Sequence, residues 1–143
     1  MKKLRLLTVL FIAIGATISS CKKDNDDNNN KDLLKGNWRQ VKEVDSQYLN
    51  NNLQYTNIDT TFDANEYIEI TNDKIIYHGE DYQESYTIDG TLVKTKEIGG
   101  DDTDEFTIKE LSSSKLVIEY TYEYKQGNQT IKEVSEETYQ RKN

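Results

Sequence analysis

Proline is absent from the 143 residues, and cysteine, histidine and tryptophan occur once each. A single cysteine excludes an intramolecular disulfide. His78 is the only histidine and lies beside Gly79, where a solvated turn residue is expected. Nucleophilic and metal-assisted catalysis therefore lack their usual residues, and no glycine-rich phosphate loop is present. We expect no catalytic residue, no metal site and no cofactor, with a glycosidase built from carboxylates alone as the one enzyme class left open.

Basic residues are fewer than acidic ones, 18 against 26, which gives a net charge of −8. Nucleic acids and anionic membrane surfaces attract clustered Lys and Arg, and an acidic chain repels them. The composition therefore predicts that nucleic acid is not a partner.

Long apolar runs are also missing, except near the start. The chain begins with three positive residues, Lys2, Lys3 and Arg5. Leu6–Ile14 follows as an apolar run of about nine residues, too short for a membrane-spanning helix, which needs roughly 20. This pattern is typical of a secretory signal peptide, predicted over residues 1–20. Its end, Ile18-Ser19-Ser20-Cys21, resembles the lipobox of bacterial lipoproteins.

The resemblance implies that Cys21 carries acyl chains and holds the protein at a membrane. Two or more acyl chains anchor a protein stably, whereas one gives only marginal binding. The alternative is an ordinary secretory signal that ends near a free thiol, an unusual choice in an oxidising compartment.

Residues 21–32 contain no apolar residue after Cys21 and are rich in Asp and Asn. Such a segment cannot bury enough surface to offset its ordering entropy, so it is predicted to be a disordered leash. Lys22-Lys23 followed by acidic residues resembles the surface-export signal of lipoproteins in Bacteroidetes-type bacteria. The expected location is the cell envelope, lipid-anchored at the outer membrane, with surface-exposed and periplasm-facing orientations both open.

Residues 33–143 show strand periodicity and no sustained helical periodicity. The clearest strand is Lys115–Lys125, where one face carries Leu116, Ile118, Tyr120, Tyr122 and Tyr124. Period two over ten residues is incompatible with a helix. Turn signals such as Asp89-Gly90 separate short strands. We count eight strands and predict an all-β, eight-stranded antiparallel up-and-down barrel with a polar outer face.

Three local expectations accompany the barrel. Asp32–Lys35 is predicted to form one helical turn capped by Asp32. Trp38 and Val44 are predicted to share one face of the first strand. The polar, Asn-rich stretch Ser46–Thr61 is predicted to be a long loop, a kind of element that often contacts partners.

Gly36-Asn37-Trp38 at the start of the barrel and Tyr139-Gln140-Arg141 at its end resemble the lipocalin-like domain of Bacteroidetes lipoproteins. The resemblance covers roughly Leu33–Lys142 and implies binding rather than catalysis. It also implies that Trp38 closes the barrel floor while Arg141 packs across its ring, as a structural pair. The chain departs from lipocalins in lacking the Thr-Asp-Tyr motif, disulfides and a C-terminal helix.

Inward-facing aromatic side chains are the candidate ligand contacts. These are Tyr86, Phe106, Tyr120, Tyr122 and Tyr124, because tyrosine rings pack apolar or sugar rings and their hydroxyls orient them. The alternative is that they are core residues. Two functions follow, a barrel that binds a small apolar or aromatic molecule, or a filled barrel whose loops bind a protein as an inhibitor or envelope-complex subunit.

Asp59-Thr60-Thr61 resembles the O-glycosylation sequon of Bacteroidetes, which makes Thr60 a candidate modification site. Its predicted position in a loop of an exported protein suits that modification.

Overall fold

The computed structural model describes residues 26–80 and 82–142. The predicted signal peptide, Cys21 and the first part of the predicted leash lie outside the described residues. Within the described part the chain forms one helix and nine strands. They are α1 (Asp26–Leu34), β1 (Gly36–Leu49), β2 (Asn52–Asp59), β3 (Tyr67–Ile70), β4 (Lys74–His78), β5 (Tyr82–Asp89), β6 (Leu92–Glu97), β7 (Thr103–Leu111), β8 (Lys115–Gln126) and β9 (Gln129–Arg141).

The strands form one antiparallel sheet that closes on itself. From β3 to β9 each strand pairs with the next along the chain, β1 pairs with β3, and β9 returns to pair with β1. Eight strands, β1 and β3–β9, therefore make a closed barrel, and the predicted fold class is confirmed. Closure lets each of the eight barrel strands direct alternate side chains into the interior.

The ninth strand replaces the predicted loop Ser46–Thr61, and that prediction was wrong. The first strand continues to Leu49, turns at Asn50-Asn51, and returns as β2 along the same edge of β1 that β3 uses at its beginning. Both turn residues have positive φ, 48° and 66°. A two-residue hairpin turn with both φ positive matches the twist of the strands, and Asn tolerates that conformation better than most residues.

A β-bulge in β1 corrects a second expectation. Gln40 pairs with Tyr139 and Lys42 with Thr138, so Val41 has no counterpart on β9. An extra residue reverses which side chains face inward beyond it. Glu43 rather than Val44 therefore lies on the inner face with Gln40, whose Nε2 is 3.4 Å from the Glu43 carboxylate.

The hydrophobic core fills one end of the barrel, and α1 covers that end. Trp38 is fully buried and Leu34 is 1% exposed. The indole Nε1 of Trp38 donates to the Leu34 carbonyl at 2.7 Å, and the Asn30 amide donates to the Gly90 carbonyl at 3.2 Å. These bonds join α1 to β1 and to the β5–β6 turn.

Because α1 begins at Asp26, it replaces both the predicted single turn at Asp32–Lys35 and the last part of the predicted leash. Within the described residues, no helix has the length and apolar character that a membrane span requires.

Three strands extend well past the others at the opposite end. β1, β8 and β9 contain 14, 12 and 13 residues, whereas β3 and β4 contain 4 and 5. At about 3.3 Å per residue, the five or six residues by which the long strands pass the rest of the barrel reach roughly 17–20 Å further. We call residues 44–49, 122–126 and 129–134 the extension, and β2 lies along its β1 edge.

Candidate functional site

The closed end is held by the two residues that the sequence motifs single out. Trp38 and Arg141 lie opposite each other in the β1–β9 ladder, and the guanidinium carbon is 4.2 Å from the indole centroid. Arg141 also donates to the carbonyls of Leu33 (2.6 Å), Lys35 (2.7 Å) and Ser113 (2.7 Å). The predicted contact is therefore present, and the same side chain also ties the end of α1 to the barrel.

Glycine at position 36 makes this arrangement possible. Its φ is +132°, and a Cβ there would collide with Nη1 of Arg141. Only glycine adopts this positive φ without strain, and only glycine lacks the Cβ that would collide with Arg141. Gly36 of the Gly-Asn-Trp motif therefore leaves room for the guanidinium over Trp38.

A cavity of about 510 Å³ occupies the other half of the barrel and opens toward the extension. Each of the eight barrel strands contributes to its lining. One lining residue from each strand in turn is Gln40, Ile68, Tyr77, Glu84, Thr95, Asp104, Tyr120 and Glu137. Such a position, deep in a barrel that is closed at one end, is a typical place for a small-molecule site.

Glu84 is the most buried carboxylate of the cavity, at 7% exposure. It accepts three hydrogen bonds, from the hydroxyls of Tyr82 (2.9 Å), Tyr77 (3.0 Å) and Thr95 (3.1 Å). Burial, together with the neighbouring carboxylate, raises the pKa of Tyr77 and raises that of Tyr82 to about 12. These hydroxyls therefore keep their protons at neutral pH and act as donors to Glu84.

A second carboxylate, Glu137 of β9, lies on the facing side of the lumen. The Tyr139 hydroxyl donates to it at 2.5 Å. Burial raises the pKa of Glu137, the Tyr139 hydrogen bond opposes that change, and the nearby carboxylates of Glu43 and Asp45 raise it further. The Ser135 hydroxyl donates to Glu43 at 3.2 Å. Side chains from β1 and β9 therefore concentrate negative charge on this part of the cavity.

Two of the predicted ligand-contact residues, Tyr120 and Tyr122, line the cavity. The Tyr122 hydroxyl donates to Asp104 at 2.5 Å, and burial raises the pKa of both tyrosines. Among the described residues, Tyr120 makes no side-chain hydrogen bond. Its hydroxyl is therefore free to contact whatever enters the lumen.

The other three predicted contacts lie elsewhere. Tyr86 and Phe106 point inward but belong to the closed core, where the Tyr86 hydroxyl donates to the Thr71 carbonyl. Tyr124 lies beyond the cavity on the extension, 46% exposed, and its hydroxyl donates to Glu133. The five positions share one inner face, but the cavity occupies only the middle of its length.

Two further residues from the sequence analysis are Thr60, at the surface, and His78, at the edge of the cavity. Thr60 follows β2, is exposed, and stands beside Asp59, whose carboxylate accepts the Thr61 amide at 2.7 Å. Its glycosylation stays a prediction. His78 is not a simple solvated turn residue, because its ring stacks on Tyr67 and its Nε2 is 2.9 Å from Glu69.

The sequence interpretation missed the carboxylates of the site. Glu84 and Glu137 were visible as acidic residues on inward-facing strand positions, alternating with Tyr82, Tyr86 and Tyr139. Burying a carboxylate is unfavourable unless it is hydrogen-bonded or paired. An acidic residue that alternates with inward-facing aromatic residues therefore indicates a candidate binding position.

Comparison of the chain with protein-family profiles, with curated proteins and with solved structures finds no match. The proposed relationship to lipocalin-like lipoproteins therefore depends on the sequence motifs alone and stays a prediction.

Proposed function

We propose that this chain is a membrane-anchored, lipocalin-like lipoprotein that binds a small molecule with an apolar or aromatic part inside its barrel. The observation that carries the proposal is the cavity of about 510 Å³, lined by every barrel strand. Binding sites for small molecules span about 300–1,000 Å³, so one ligand of moderate size fits.

The lining supports recognition of a ring. Tyr77, Tyr82, Tyr120 and Tyr122 surround the cavity and offer both ring faces and hydroxyl groups. Aromatic rings pack in offset or tilted arrangements, which the walls already show among themselves, as in the Tyr77–Tyr82 pair with centroids 5.1 Å apart. The closed core beneath gives such a ligand a rigid floor.

Native mass spectrometry of the full chain, purified from its own host, tests the binding function. A stoichiometric small-molecule adduct, lost when Tyr120→Trp fills the lumen, is the expected result. A clean apo mass for the unaltered chain under gentle ionisation would overturn the proposal.

Anchoring is the second part of the proposal and is supported by the lipobox-like Ile18–Cys21. The expected attachment is acyl chains on Cys21, with the barrel at the outer membrane, on either its outer or its periplasmic side. Mass spectrometry of the N-terminal peptide should find a diacylglyceryl modification. Cys21→Ser should move the protein from the membrane to the soluble fraction, and an unmodified Cys21 in the host would refute anchoring.

A non-enzymatic protein-interaction module is the alternative function, and β2 is the observation that favours it. Every residue of β2 is exposed, including Leu53 (56%), Tyr55 (52%) and Ile58 (59%). Within the described residues β2 pairs with β1 alone, so its outer edge has unused backbone groups that an added strand can pair with. Replacing both Leu53 and Ile58 by Lys should then abolish a complex recovered from the host envelope without changing lumenal binding.

A further inference from the structure

The carboxylates that line the cavity have no positive counterpart. Five acidic residues contribute, Glu66, Glu80, Glu84, Asp104 and Glu137, whereas no Lys or Arg lines the cavity. None of the five is ion-paired with any residue that the structure describes. The one lining histidine, His78, is engaged with Glu69 outside the cavity lining. The lumen therefore has an excess of negative charge.

Glu84 shows that this excess reaches deep into the barrel. Its three donors, on Tyr77, Tyr82 and Thr95, are neutral hydroxyls, which satisfy the carboxylate oxygens but leave the charge uncompensated. Carboxylates as buried as this one, at 7% exposure, are normally paired with a cation or a metal. A buried carboxylate whose partners are all neutral hydroxyls can therefore still attract a positive group that enters the cavity.

Glu137 adds a second uncompensated carboxylate. The Tyr139 hydroxyl is its hydrogen-bond donor, and Glu43 and Asp45 lie near enough to disfavour its charged form further. The groups that shift the pKa of Glu137 most are therefore a tyrosine and two acids, with no cation among them. A cation beside Glu137 would relieve this repulsion.

The aromatic lining favours the same kind of ligand. Tyrosine ring faces carry partial negative charge and attract ammonium groups within about 6 Å of the centroid. Tyr77, Tyr82, Tyr120 and Tyr122 present rings in the same cavity as the carboxylates. Within the described residues, no three acidic, histidine or cysteine side chains converge as a metal-binding group.

We propose that the ligand is an organic cation, a molecule whose protonated amine is neutralised by the lumenal carboxylates, of which Glu84 and Glu137 are the most buried, while its ring or apolar body packs on the tyrosines. The inference depends on the proposed lumenal binding function and specifies its ligand class. An ammonium group donates charge-assisted hydrogen bonds to carboxylates, which are roughly twice as strong as neutral ones. A carboxylate ligand of the same shape would meet like charge and be rejected.

Three probes with one indole skeleton test the charge preference: an ethylamine, the matching alcohol and the matching carboxylate. Calorimetric titration of the purified full chain at pH 7 should show about 10- to 100-fold tighter binding of the amine than of the alcohol, and weaker binding still of the carboxylate. The preference should diminish as salt concentration rises.

Two variants and a matched control locate the effect. Glu84→Gln and Glu137→Gln should each weaken amine binding about 10-fold or more and leave alcohol binding nearly unchanged. Glu123→Gln makes the same charge change at an exposed position on the outer face of β8, and should leave both affinities unaltered. Circular dichroism checks folding; should Glu84→Gln fail to fold, Glu137→Gln carries the comparison.

The outcomes distinguish a failure of the cation assignment from a failure of the proposed lumenal binding. Alcohol or carboxylate binding as tight as amine binding, or a host-derived adduct without a basic nitrogen, would overturn the cation assignment and leave lumenal binding intact. An equal loss of amine affinity in Glu123→Gln would attribute the preference to overall charge and overturn it too. If none of the three probes binds and the host protein is clean, both proposals fail together.

Discussion

Replacing Arg141 by alanine tests how the closed end of the barrel is held together. The guanidinium donates to the carbonyls of Leu33, Lys35 and Ser113 and lies 4.2 Å from the Trp38 ring centroid. The Leu33 carbonyl belongs to the last turn of α1, where the helix has no internal donors left, and Lys35 follows the helix directly. Alanine would therefore release the helix, the β7–β8 turn and the indole at once.

The expected loss of stability follows from these contacts. A hydrogen bond from a charged donor contributes about 1.5–3 kcal/mol, and the partly exposed position favours the lower value for each of the three. The contact with the indole adds about 1 kcal/mol. Renewed hydration of the carbonyls offsets part of the sum, so Arg141→Ala should reduce the free energy of unfolding by about 4 kcal/mol. For a domain of this size that lowers Tm by roughly 15 °C.

Urea denaturation provides the assay, followed by fluorescence of Trp38, the only tryptophan of the chain, and by circular dichroism as a second probe. Arg141→Lys keeps the positive charge but loses the planar guanidinium that donates in several directions. It should lose about half as much stability as Arg141→Ala. Arg39→Ala, on β1 and without a side-chain partner among the described residues, should change stability by less than about 0.5 kcal/mol. A loss below about 1 kcal/mol for Arg141→Ala, or a lysine variant equal to the parent, would refute the reasoning.

Two further predictions concern the lumen and the hairpin. Burial and the carboxylates of Glu43 and Asp45 raise the pKa of Glu137, so the folded state keeps this proton to higher pH than the unfolded chain, and stability is lost as pH rises above the ordinary carboxyl value of 4.5. Glu137→Gln should therefore be more stable than the parent at pH 7 and equal to it near pH 3 in chemical denaturation, and a less stable variant at pH 7 would contradict the assigned cause. Asn51→Val places a β-branched residue at φ 66°, which costs about 1–2 kcal/mol. Amide hydrogen exchange in β2 should accelerate while Tm barely changes, with Asn51→Gly as the control; a large fall in Tm would show that β2 supports the barrel.

Glu137 also connects stability with binding. We expect Glu137→Gln to stabilise the ligand-free barrel and to weaken the binding of a cation. Glu137 would then destabilise the free protein, and the bound cation would offset that loss of stability. The two measurements on Glu137→Gln are independent, since one uses no ligand and the other compares ligands. Agreement between them would support the organic cation as the occupant of the lumen.

The barrel could be predicted because its cause is local. Alternation of apolar and polar residues in Lys115–Lys125 sets which face is buried, and turns such as Asp89-Gly90 set where strands end. The meander order then follows from short connections. The contact of Trp38 with Arg141 was expected from the resemblance to lipocalin-like domains, and the pairing of the first strand with the last brings the two residues opposite each other.

The candidate site was less accessible to sequence reasoning. Period two shows that Tyr86, Phe106, Tyr120, Tyr122 and Tyr124 face inward, but it gives no depth along the barrel axis. Depth depends on strand length and stagger across the whole sheet, which place Tyr86 and Phe106 in the core and Tyr124 beyond the mouth. Of these five residues, only Tyr120 and Tyr122 line the cavity.

The sequence by itself therefore determined the all-β class and the closed meander, because alternation and turn chemistry act between near neighbours and short connections set the strand order. Tertiary structure alone decided where the cavity lies and what lines it. The bulge at Val41 turned Glu43 inward, and the β4, β5 and β6 pairings brought Tyr77 and Thr95 onto Glu84. Those contacts join residues from different strands. Their geometry depends on the register and stagger between strands, which the sequence of one strand does not determine.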